Sequence, residues 1–384
     1  MQKITFITTG DIKDIATAKR ALGMANHLQT LGWKVSIIME DCLENRHRAS
    51  LECNSDISIK YFPKCSAQEE RKAKNKILKE LNPNFIYICA FVFRNIVKVK
   101  SSCIKLLEHS ELPSYIKDSS LRSRIKSYIL EYYSIIYADG ILNASQYLQT
   151  VFQKRSHKIF RFNCPMLYFP YAYSKSICNI NENTAHLPIR KDKGQYFFVF
   201  LGSLAKNYGT FTMIKAFEII HSDNPNLHLL LLGKGPDYSK VVNYIKEKQL
   251  SEFIHTQGFV KEEDIAAYFT LTDAFISPMN DTIQDWARCP SKLYMYLPYK
   301  KPIITCKIGE PYEVLGNNGI YFEPSSVSSL AKSIQETVKA NKWELNINPL
   351  LHEWKQRTID FDNWIKTNFK SQIKKTHINK SRTN

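Results

Sequence analysis

Three regions in the C-terminal half of the sequence combine glycine, hydroxyl groups and lysine in patterns suited to phosphate chemistry. The first, Gly202-Ser203-Leu204-Ala205-Lys206, follows a predicted strand at residues 196–201. Glycine lets the backbone approach a ligand closely, and a nearby lysine supplies a mobile positive charge that suits a diphosphate. A surface lysine in an ordinary loop is the alternative interpretation of Lys206.

The second region, Gly233-Lys234-Gly235-Pro236, follows a predicted strand at residues 227–232. It lacks the third glycine of the GxGxxG pattern, which argues against a dehydrogenase with bound NAD. A ligand contact and a plain turn between a strand and a helix both fit this loop.

The third region is a predicted helix that begins at Pro290-Ser291-Lys292-Leu293, after a long loop at residues 279–289. Proline suits the first turn of a helix, and a helix N-terminus offers backbone N–H groups and a positive dipole end to phosphate. Ser291 and Lys292 add a hydroxyl group and a charge. We therefore expect a contact with a phosphorylated ligand; the alternative is a helix that simply begins with Pro-Ser.

In the N-terminal half, the polar cluster Glu108-His109-Ser110-Glu111 follows a predicted strand at residues 104–107. His109 and Glu111 are candidates to bind or polarise an acceptor, with Glu108 as a third, and a structural histidine is the alternative. The sequence Asp360-Phe361-Asp362 matches the DxD metal motif. Because it lies in a predicted terminal amphipathic helix, away from any strand end, we interpret the match as a coincidence.

The elements that carry these residues alternate between strand and helix. A strand at 4–8, a helix at 15–31 and a strand at 35–39 open the chain, which predicts a parallel sheet. The alternation restarts at residue 196, with six predicted strands at 196–201, 227–232, 254–258, 274–278, 302–305 and 320–322. In such a doubly wound α/β arrangement, ligands bind beyond the carboxyl ends of the strands.

The length of 384 residues exceeds the usual size of one hydrophobic core, so we expect two domains. Residues 164–194 lack periodicity and contain three prolines. We predict an N-terminal domain at 1–175, a linker at 176–195, a C-terminal domain at 196–345 and a helical region at 346–370. A basic tail at 371–384 follows.

The net charge of +17 predicts a surface that attracts polyanions. Basic residues concentrate at 94–126 and from 366 onward, where they form either an ordinary solvated surface or a face for an anionic membrane. We do not expect nucleic-acid binding, because no recognised module accompanies the charge. The nine cysteines form no CxxC pair, which argues against zinc. With no secretory signal and no apolar run of about 18 residues, we expect a cytoplasmic protein.

Five sequence strings together resemble the donor-binding half of GT-B glycosyltransferases of the retaining family 4, the group 1 transferases. They span about residues 197–338 and read FVFLGSLAKNYG, LHLLLLGKGPDY, IHTQGFVKEEDIAAYFTLTDAFISP, CPSKLYMYLPYKKPII and GIYFEPSSVSSLAKSI. The PSKL string resembles the subgroup that builds bacterial capsule, O-antigen and exopolysaccharide. The N-terminal half is similar more loosely, through the helix with Arg20, LGWKVSII, ILNASQYLQTVF and EHSELP.

This resemblance implies a GT-B fold of two Rossmann-like domains that face a cleft, with the C-terminal helix crossing back to the N-terminal domain. It implies a nucleotide-sugar donor, a saccharide or lipid-linked saccharide acceptor, and no metal or other cofactor. Gly202, Ser203 and Lys206 would hold the diphosphate, and the helix from Pro290 to Leu293, with Lys292, would neutralise it as it leaves. Gly233, Lys234 and Gly235 would lie near the base. The implied catalytic residues are His109, Glu111, Lys206 and Lys292.

The sequence departs from the family pattern at a pair of glutamates eight positions apart, where it has Ala287 and Met295. The second glutamate grips the ribose hydroxyls in the family, and methionine accepts hydrogen bonds poorly. Asp281, Asp285 and Arg288 are candidate substitutes. Two hypotheses follow: a retaining glycosyltransferase that docks on the inner membrane leaflet, or a catalytically impaired relative that serves as a binding subunit of a polysaccharide assembly complex. A GT-B epimerase is less favoured, because the C-terminal domain offers no suitable histidine and acidic groups.

Overall fold

The structure is a computed structural model that describes residues 1–13, 17–116, 119–175, 184, 186–340, 343 and 345–370. The chain divides into two compact units. The N-terminal unit comprises Met1–Tyr171, Ala287–Cys289 and Leu351–Asn384, and the C-terminal unit comprises Ala172–Trp286 and Pro290–Leu350. Much of the predicted linker and the whole predicted tail at 371–384 lie outside the described residues.

The N-terminal unit is built on a seven-stranded parallel sheet with the order β3-β2-β1-β4-β5-β6-β7. Its strands are β1 (Lys3–Ile7), β2 (Lys34–Glu40), β3 (Ser58–Phe62), β4 (Phe85–Ile88), β5 (Ile104–His109), β6 (Gly140–Asn143) and β7 (Met166–Tyr168). Its first helices are α1 (Thr17–Thr30), α2 (Leu43–Glu52), α3 (Ala67–Leu81), α4 (Leu121–Tyr137) and α5 (Gln146–Lys158). The parallel sheet is as predicted, but β7 lies within the aperiodic residues 164–194, which we interpreted as the last turn of the N-terminal domain followed by the linker.

The C-terminal unit is built on a six-stranded parallel sheet with the order β10-β9-β8-β11-β12-β13. Its strands are β8 (Tyr196–Leu201), β9 (Leu227–Leu232), β10 (Ile254–Gly258), β11 (Ala274–Ser277), β12 (Ile303–Thr305) and β13 (Ile320–Tyr321). Its helices are α6 (Thr210–Ile220), α7 (Tyr238–Glu247), α8 (Glu262–Leu271), α9 (Ile283–Ala287), α10 (Ser291–Tyr296), α11 (Gly309–Leu315) and α12 (Val327–Ala340). All six predicted strands are present, whereas α9 occupies part of a predicted loop.

Apolar sequences explain why the central strands of both sheets are buried on both faces. The six residues of β9, for example, are all buried, and the core around them includes Phe198, Phe200 and Leu229. Near-continuous hydrophobic runs are typical of parallel strands that helices cover on both sides. In both sheets the strand order reverses between two central strands, β1 and β4 in one and β8 and β11 in the other.

The helix α13 (Trp354–Asn368) completes the N-terminal unit by packing on α1. A Cβ atom on Gly23 would lie 2.5 Å from the Trp354 ring, so α1 needs glycine there. The indole N–H of Trp33 donates to Asp362 at 2.8 Å, and Asp362 is buried. Asp362 therefore stabilises the packing of α13 in the N-terminal unit. No helix among the described residues is long and apolar enough to span a membrane.

A buried ion pair connects α1 to the sheet of the N-terminal unit. Nε of Arg20 lies 2.8 Å from Glu108, and the Tyr87 hydroxyl donates to the same carboxylate at 2.9 Å. The Arg20 guanidinium also donates to the carbonyl oxygens of Phe169 and Pro170, and it lies 5.5 Å from the Trp354 ring centroid. One side chain thus joins α1, β5, the segment after β7 and α13.

We expect Arg20→Met to lower the free energy of unfolding by about 3–5 kcal/mol, because it leaves the Glu108 carboxylate buried without its cation. Arg46→Met is a matched control, since the Arg46–Asp41 pair is exposed at the surface, and it should cost far less. Denaturant unfolding measures both. A loss no larger than that of the control would contradict the dependence on this ion pair.

Candidate functional site

The candidate site lies at the carboxyl edge of the C-terminal sheet, where the strand order reverses between β8 and β11. The loop after β8 begins at Gly202, whose N–H donates to the Leu232 carbonyl at the end of β9. The loop after β9 begins at Gly233, whose N–H donates to Gly258 at the end of β10. The ladder hydrogen bonds thus continue past the strands and fix the start of both glycine loops.

The two glycine loops lie directly against each other. A Cβ atom on Gly233 would lie 2.1 Å from the Gly202 carbonyl oxygen, and one on Gly235 would lie 2.5 Å from the Ser203 hydroxyl. The N–H of Leu204 donates to the Lys234 carbonyl at 3.2 Å. These glycines are therefore required for backbone packing, which the spacing of the sequence alone did not reveal.

Lys292 lies close to the first glycine loop. Its Nζ atom lies 3.8 Å from the centroid of the Phe200 ring and 3.5 Å from the position that a Cβ on Gly202 would occupy. Four residues further along α10, the Tyr296 hydroxyl accepts the N–H of Leu201 at 3.0 Å. The structure thus brings Lys292, Gly202 and the end of β8 together. Sequence reasoning missed Phe200 and Tyr296, although the i, i+4 spacing of Lys292 and Tyr296 could have indicated the second.

Lys206 and Lys234 are exposed lysines on the two glycine loops. Lys206 begins a short 3-10 turn, and its backbone N–H donates to Asp237 at 2.8 Å. This hydrogen bond lowers the pKa of the Asp237 carboxyl. Gly209 ends the turn with a φ of +69°, and a Cβ there would lie 2.5 Å from Pro278 after β11. The loops after β8, β9 and β11 therefore support one another.

The helix α10 presents a smaller candidate surface than the sequence predicted. Ser291, Lys292 and Pro290 are half-buried, but the Leu293 side chain is fully buried. The N–H of Leu293 donates to the Pro290 carbonyl at 3.0 Å. The donor contact of Leu293 stays a prediction; the structure places its side chain in the core.

The residues considered in place of the missing glutamate stabilise the loop after β11. Asp285 is buried and accepts the backbone N–H of Asn280 at 2.6 Å. Asp281 accepts the indole N–H of Trp286 at 2.8 Å. Met295 is buried, so an apolar side chain stands where the family pattern has a carboxylate.

The polar cluster after β5 is arranged differently from the prediction. Glu108 is engaged in the buried ion pair with Arg20, so the structure gives it a structural role instead of an acceptor contact. His109 is buried, stacks on Phe152 with a centroid distance of 3.8 Å, and lies 2.9 Å from the Ser134 hydroxyl. Burial, followed by the nearby Arg155 charge, lowers the pKa of His109 to about 3.

These surroundings do not favour His109 as a direct catalytic contact, because its neutral imidazole is covered by the unit's own helices. Glu111, in contrast, is exposed. Although the residue as a whole is exposed, partial desolvation of its carboxyl raises the pKa of Glu111, and the Arg288 charge opposes this shift. Glu111 therefore remains the accessible member of the predicted acceptor-side cluster.

A second polar network, which sequence reasoning missed, lies where the strand order of the N-terminal sheet reverses. The Lys74 ammonium is fully buried and donates to Glu70 and Asn95 at 2.5 Å each. Glu70 also accepts from the Thr9 hydroxyl after β1 and from Arg94 after β4. Burial lowers the pKa of Lys74 to about 8. The network fixes the two loops that flank this edge of the sheet.

Among the described residues, no group of three or more His, Cys, Asp and Glu side chains could hold a metal ion. The candidate site of the C-terminal unit contains glycine loops, a hydroxyl group, the start of α10 and lysines at a strand-order reversal. Such groups suit a phosphorylated ligand, because fixed dipoles and cations stabilise its negative charge.

Solved structures with the same architecture define the fold as GT-B, the two-domain Rossmann-like fold of glycosyltransferases. Anabaena HepE in complex with UDP-glucose is similar, with a TM-score of 0.70, 14% identity, and coverage of 97% of this chain and 100% of that chain. The pneumococcal O-GlcNAc transferase GtfA in complex with UDP and GlcNAc gives a TM-score of 0.69, 10% identity, and coverage of 98% and 99%. A glycosyltransferase from Rickettsia africae gives 0.66, 14% identity, and 97% of each chain.

Residues 181–359 match the family model described as glycosyl transferases group 1. A curated relative, the alpha-monoglucosyldiacylglycerol synthase of Acholeplasma laidlawii, is 26% identical over 139 residues, which are 35% of this chain. The match spans about a third of the length of that relative, 33%.

We expect Gly233→Ala to destabilise the protein more than Gly316→Ala. Both glycines have positive φ, which costs alanine about 1–2 kcal/mol, but only the Gly233 Cβ meets backbone, and this adds about 1–3 kcal/mol. A Cβ on Gly316 has no atom within 4 Å. Denaturant unfolding compares the variants, and equal losses would show that the two glycine loops can separate at little cost.

We expect the stability of the protein to fall as the solution is acidified below about pH 6.5, with His109 as one cause. Its pKa is about 3 in the folded protein and 6.5 as the ordinary value, so the unfolded chain binds the extra proton between these limits. His109→Gln should reduce the pH dependence by up to about 1.4 kcal/mol per pH unit. Thermal and denaturant unfolding across this range measure it; an unchanged slope would contradict the buried neutral imidazole.

Proposed function

We propose that the protein is a retaining glycosyltransferase of family 4, which transfers a hexose from a nucleotide sugar to a saccharide or lipid-linked saccharide in bacterial surface polysaccharide synthesis. The observation that carries the proposal is the meeting of Gly202, the Gly233–Gly235 loop and Lys292 at the strand-order reversal of the C-terminal sheet. This is the position at which doubly wound sheets bind ligands. The similar structures that hold UDP or UDP-glucose support a uridine diphosphate sugar as the donor.

In the proposed reaction, the protein stabilises the diphosphate more strongly as it leaves than when it is bound to the sugar. Negative charge builds on the leaving phosphate oxygens in the transition state, so a fixed cation lowers the barrier selectively. Lys292 is suited to this role because it lies beside Gly202, and Lys206 is the exposed lysine on the same loop. We propose that the departing phosphate oxygen helps to deprotonate the acceptor hydroxyl on the same face of the sugar, which retains the anomeric configuration without a metal.

The acceptor class rests on two kinds of support. The PSKL string is similar to the subgroup that builds capsule, O-antigen and exopolysaccharide, whose acceptors are saccharides on a lipid carrier. The curated relative is named for the synthesis of a glucosylated diacylglycerol, which also places the acceptor in a lipid phase. We therefore propose a lipid-linked acceptor and peripheral contact with an anionic membrane, to which the basic segments contribute.

Met295 favours a second candidate function. A buried methionine cannot grip the ribose hydroxyls as the expected glutamate would. In this alternative, the protein binds a nucleotide sugar without turning it over and serves as a binding subunit of a polysaccharide assembly complex. Both candidate functions predict nucleotide binding, but only the first predicts turnover of the nucleotide sugar.

We expect UDP or a UDP-sugar to raise the melting temperature, and we expect slow donor hydrolysis by the wild-type protein. Lys292→Ala should lower this turnover by about 10²–10³-fold, because it removes a cation that acts on the leaving diphosphate. Lys240→Ala is the matched control, since Lys240 is an exposed lysine of the same unit, and it should leave turnover unchanged.

Each outcome distinguishes the candidates. If no nucleotide or nucleotide sugar in a panel shifts the melting temperature, the donor site is assigned wrongly. A shift without hydrolysis, even with an acceptor lipid present, favours the impaired relative. Normal turnover by Lys292→Ala would remove Lys292 from the mechanism while leaving the donor site in place.

A further inference from the structure

The helix α4 of the N-terminal unit has inverted polarity, with polar side chains facing inward. Glu131 is buried, accepts from the backbone and hydroxyl of Ser114 at 2.9 and 2.7 Å, and pairs with Arg155 at 2.6 Å. Ser134 is fully buried beside His109. These inward polar groups are satisfied by hydrogen bonds and an ion pair. Ile135 of the same helix is buried in the apolar core, so polar and apolar contacts together hold α4 to its unit.

The outward face of α4 is apolar and lies in water. Its large side chains, between 41% and 71% exposed, are Leu121, Ile125, Tyr128, Ile129, Tyr133 and Ile136. Their spacing of three and four residues puts them on one side of a helix, and we name them the α4 stripe. Single exposed apolar residues are ordinary, but a contiguous row of six indicates a surface that another apolar phase covers.

A turn after α5 extends the α4 stripe at its C-terminal end. Phe160 and Phe162 are 82% and 60% exposed, and the Arg161 side chain between them donates to the carbonyl oxygens of Ile136 and Ala138 at 2.5 and 2.7 Å. A cation at the last carbonyls of a helix is favourable. Arg161 therefore fixes two exposed phenylalanines next to the end of the stripe.

The charges around the α4 stripe are positive. Arg122 and Lys126 are exposed on α4, whereas Glu131, the acidic residue of the helix, is buried in its ion pair. Beside the C-terminal end of α4 lies a cavity of about 330 Å³, whose lining includes Lys98, Lys100, Lys105, Tyr137 and Asp139. An apolar row bordered by cations matches the boundary between the acyl chains and phosphates of an anionic bilayer.

We propose that the α4 stripe, with Phe160 and Phe162, docks the protein on an anionic lipid bilayer. The apolar side chains enter the boundary between headgroups and acyl chains, and the flanking basic residues contact the lipid phosphates. A second copy of the chain fits this surface less well, because it would bring the same cations together. The inference rests on the proposed membrane-linked acceptor for its purpose, but the docking itself requires neither donor nor catalysis.

The test measures binding of the purified full-length protein to vesicles of phosphatidylcholine alone, or with one third phosphatidylglycerol, by co-sedimentation. We expect binding to the anionic vesicles that weakens with salt. Ile125→Glu/Ile129→Glu should reduce this binding at least about tenfold, because it removes apolar contact and adds repulsion. Arg122→Gln/Lys126→Gln should reduce it by about fivefold for each charge.

The matched control is Leu43→Glu/Leu51→Glu on α2, which makes the same change at two exposed leucines of the same unit. It should reduce vesicle binding by no more than about threefold, since those residues lie off the stripe. Unfolding measurements check that both variants fold. Equal losses in the two pairs, or no binding of the wild-type protein to anionic vesicles, would overturn the proposal.

Two further measurements distinguish membrane docking from self-association and from the proposed donor site. A wild-type dimer that Ile125→Glu/Ile129→Glu converts to a monomer in analytical ultracentrifugation would assign the stripe to a second copy and overturn membrane docking. The UDP-induced shift in melting temperature is measured on the same samples. Its absence together with intact vesicle binding overturns the donor site and supports the docking surface, and the reverse result overturns the docking surface alone.

Discussion

The candidate site depends on one close backbone contact, in which the carbonyl oxygen of Gly202 occupies the space that a side chain on Gly233 would need. Because parallel strands end at the same edge of a sheet, the loops after neighbouring strands must share a narrow space. Glycine solves the problem here by removing the side chain. The polar surface of the site then consists of backbone groups and of Lys292, whose ammonium group packs on the Phe200 ring. The packing of the loops after β8 and β9 therefore determines both the shape of the site and the groups that carry its charge.

The C-terminal sheet could be predicted from the sequence because β8, β9 and β11 are mainly apolar runs followed by glycine or proline. Other elements were missed for physical reasons. The strand β7 has three half-buried residues, which leave no periodic signal. The helix α3 does carry a readable signal, since Ser66 and Glu69 form a capping box at its N-terminus. The orientation of the helix α4 is hard to predict because its apolar stripe faces solvent. The hydrophobic periodicity of its sequence would instead predict that this stripe faces the core.

The site was predicted in part. The sequence identified the three regions that carry glycine and lysine, and the structure brings Gly202, Gly233 and Lys292 into one neighbourhood. It could not distinguish accessible from buried members of a motif. Leu293 and His109 look like ligand contacts because they adjoin polar residues, yet their side chains are buried. Burial depends on which distant elements pack against a residue, so the local spacing of a motif carries little information about it.

The position of α13 has a consequence for how the protein is made. The first unit to leave the ribosome lacks the cover over Gly23 and Trp33 until Trp354 and Asp362 have been synthesised. All strands of the C-terminal sheet precede α13 in the sequence. This sheet can therefore assemble before the N-terminal unit is complete, although most of the N-terminal unit is synthesised first. The N-terminal unit is therefore completed only after the C-terminal sheet has been synthesised, and a truncation that removes α13 harms the N-terminal unit. During translation, the exposed side of α1 is a natural place for a chaperone to bind.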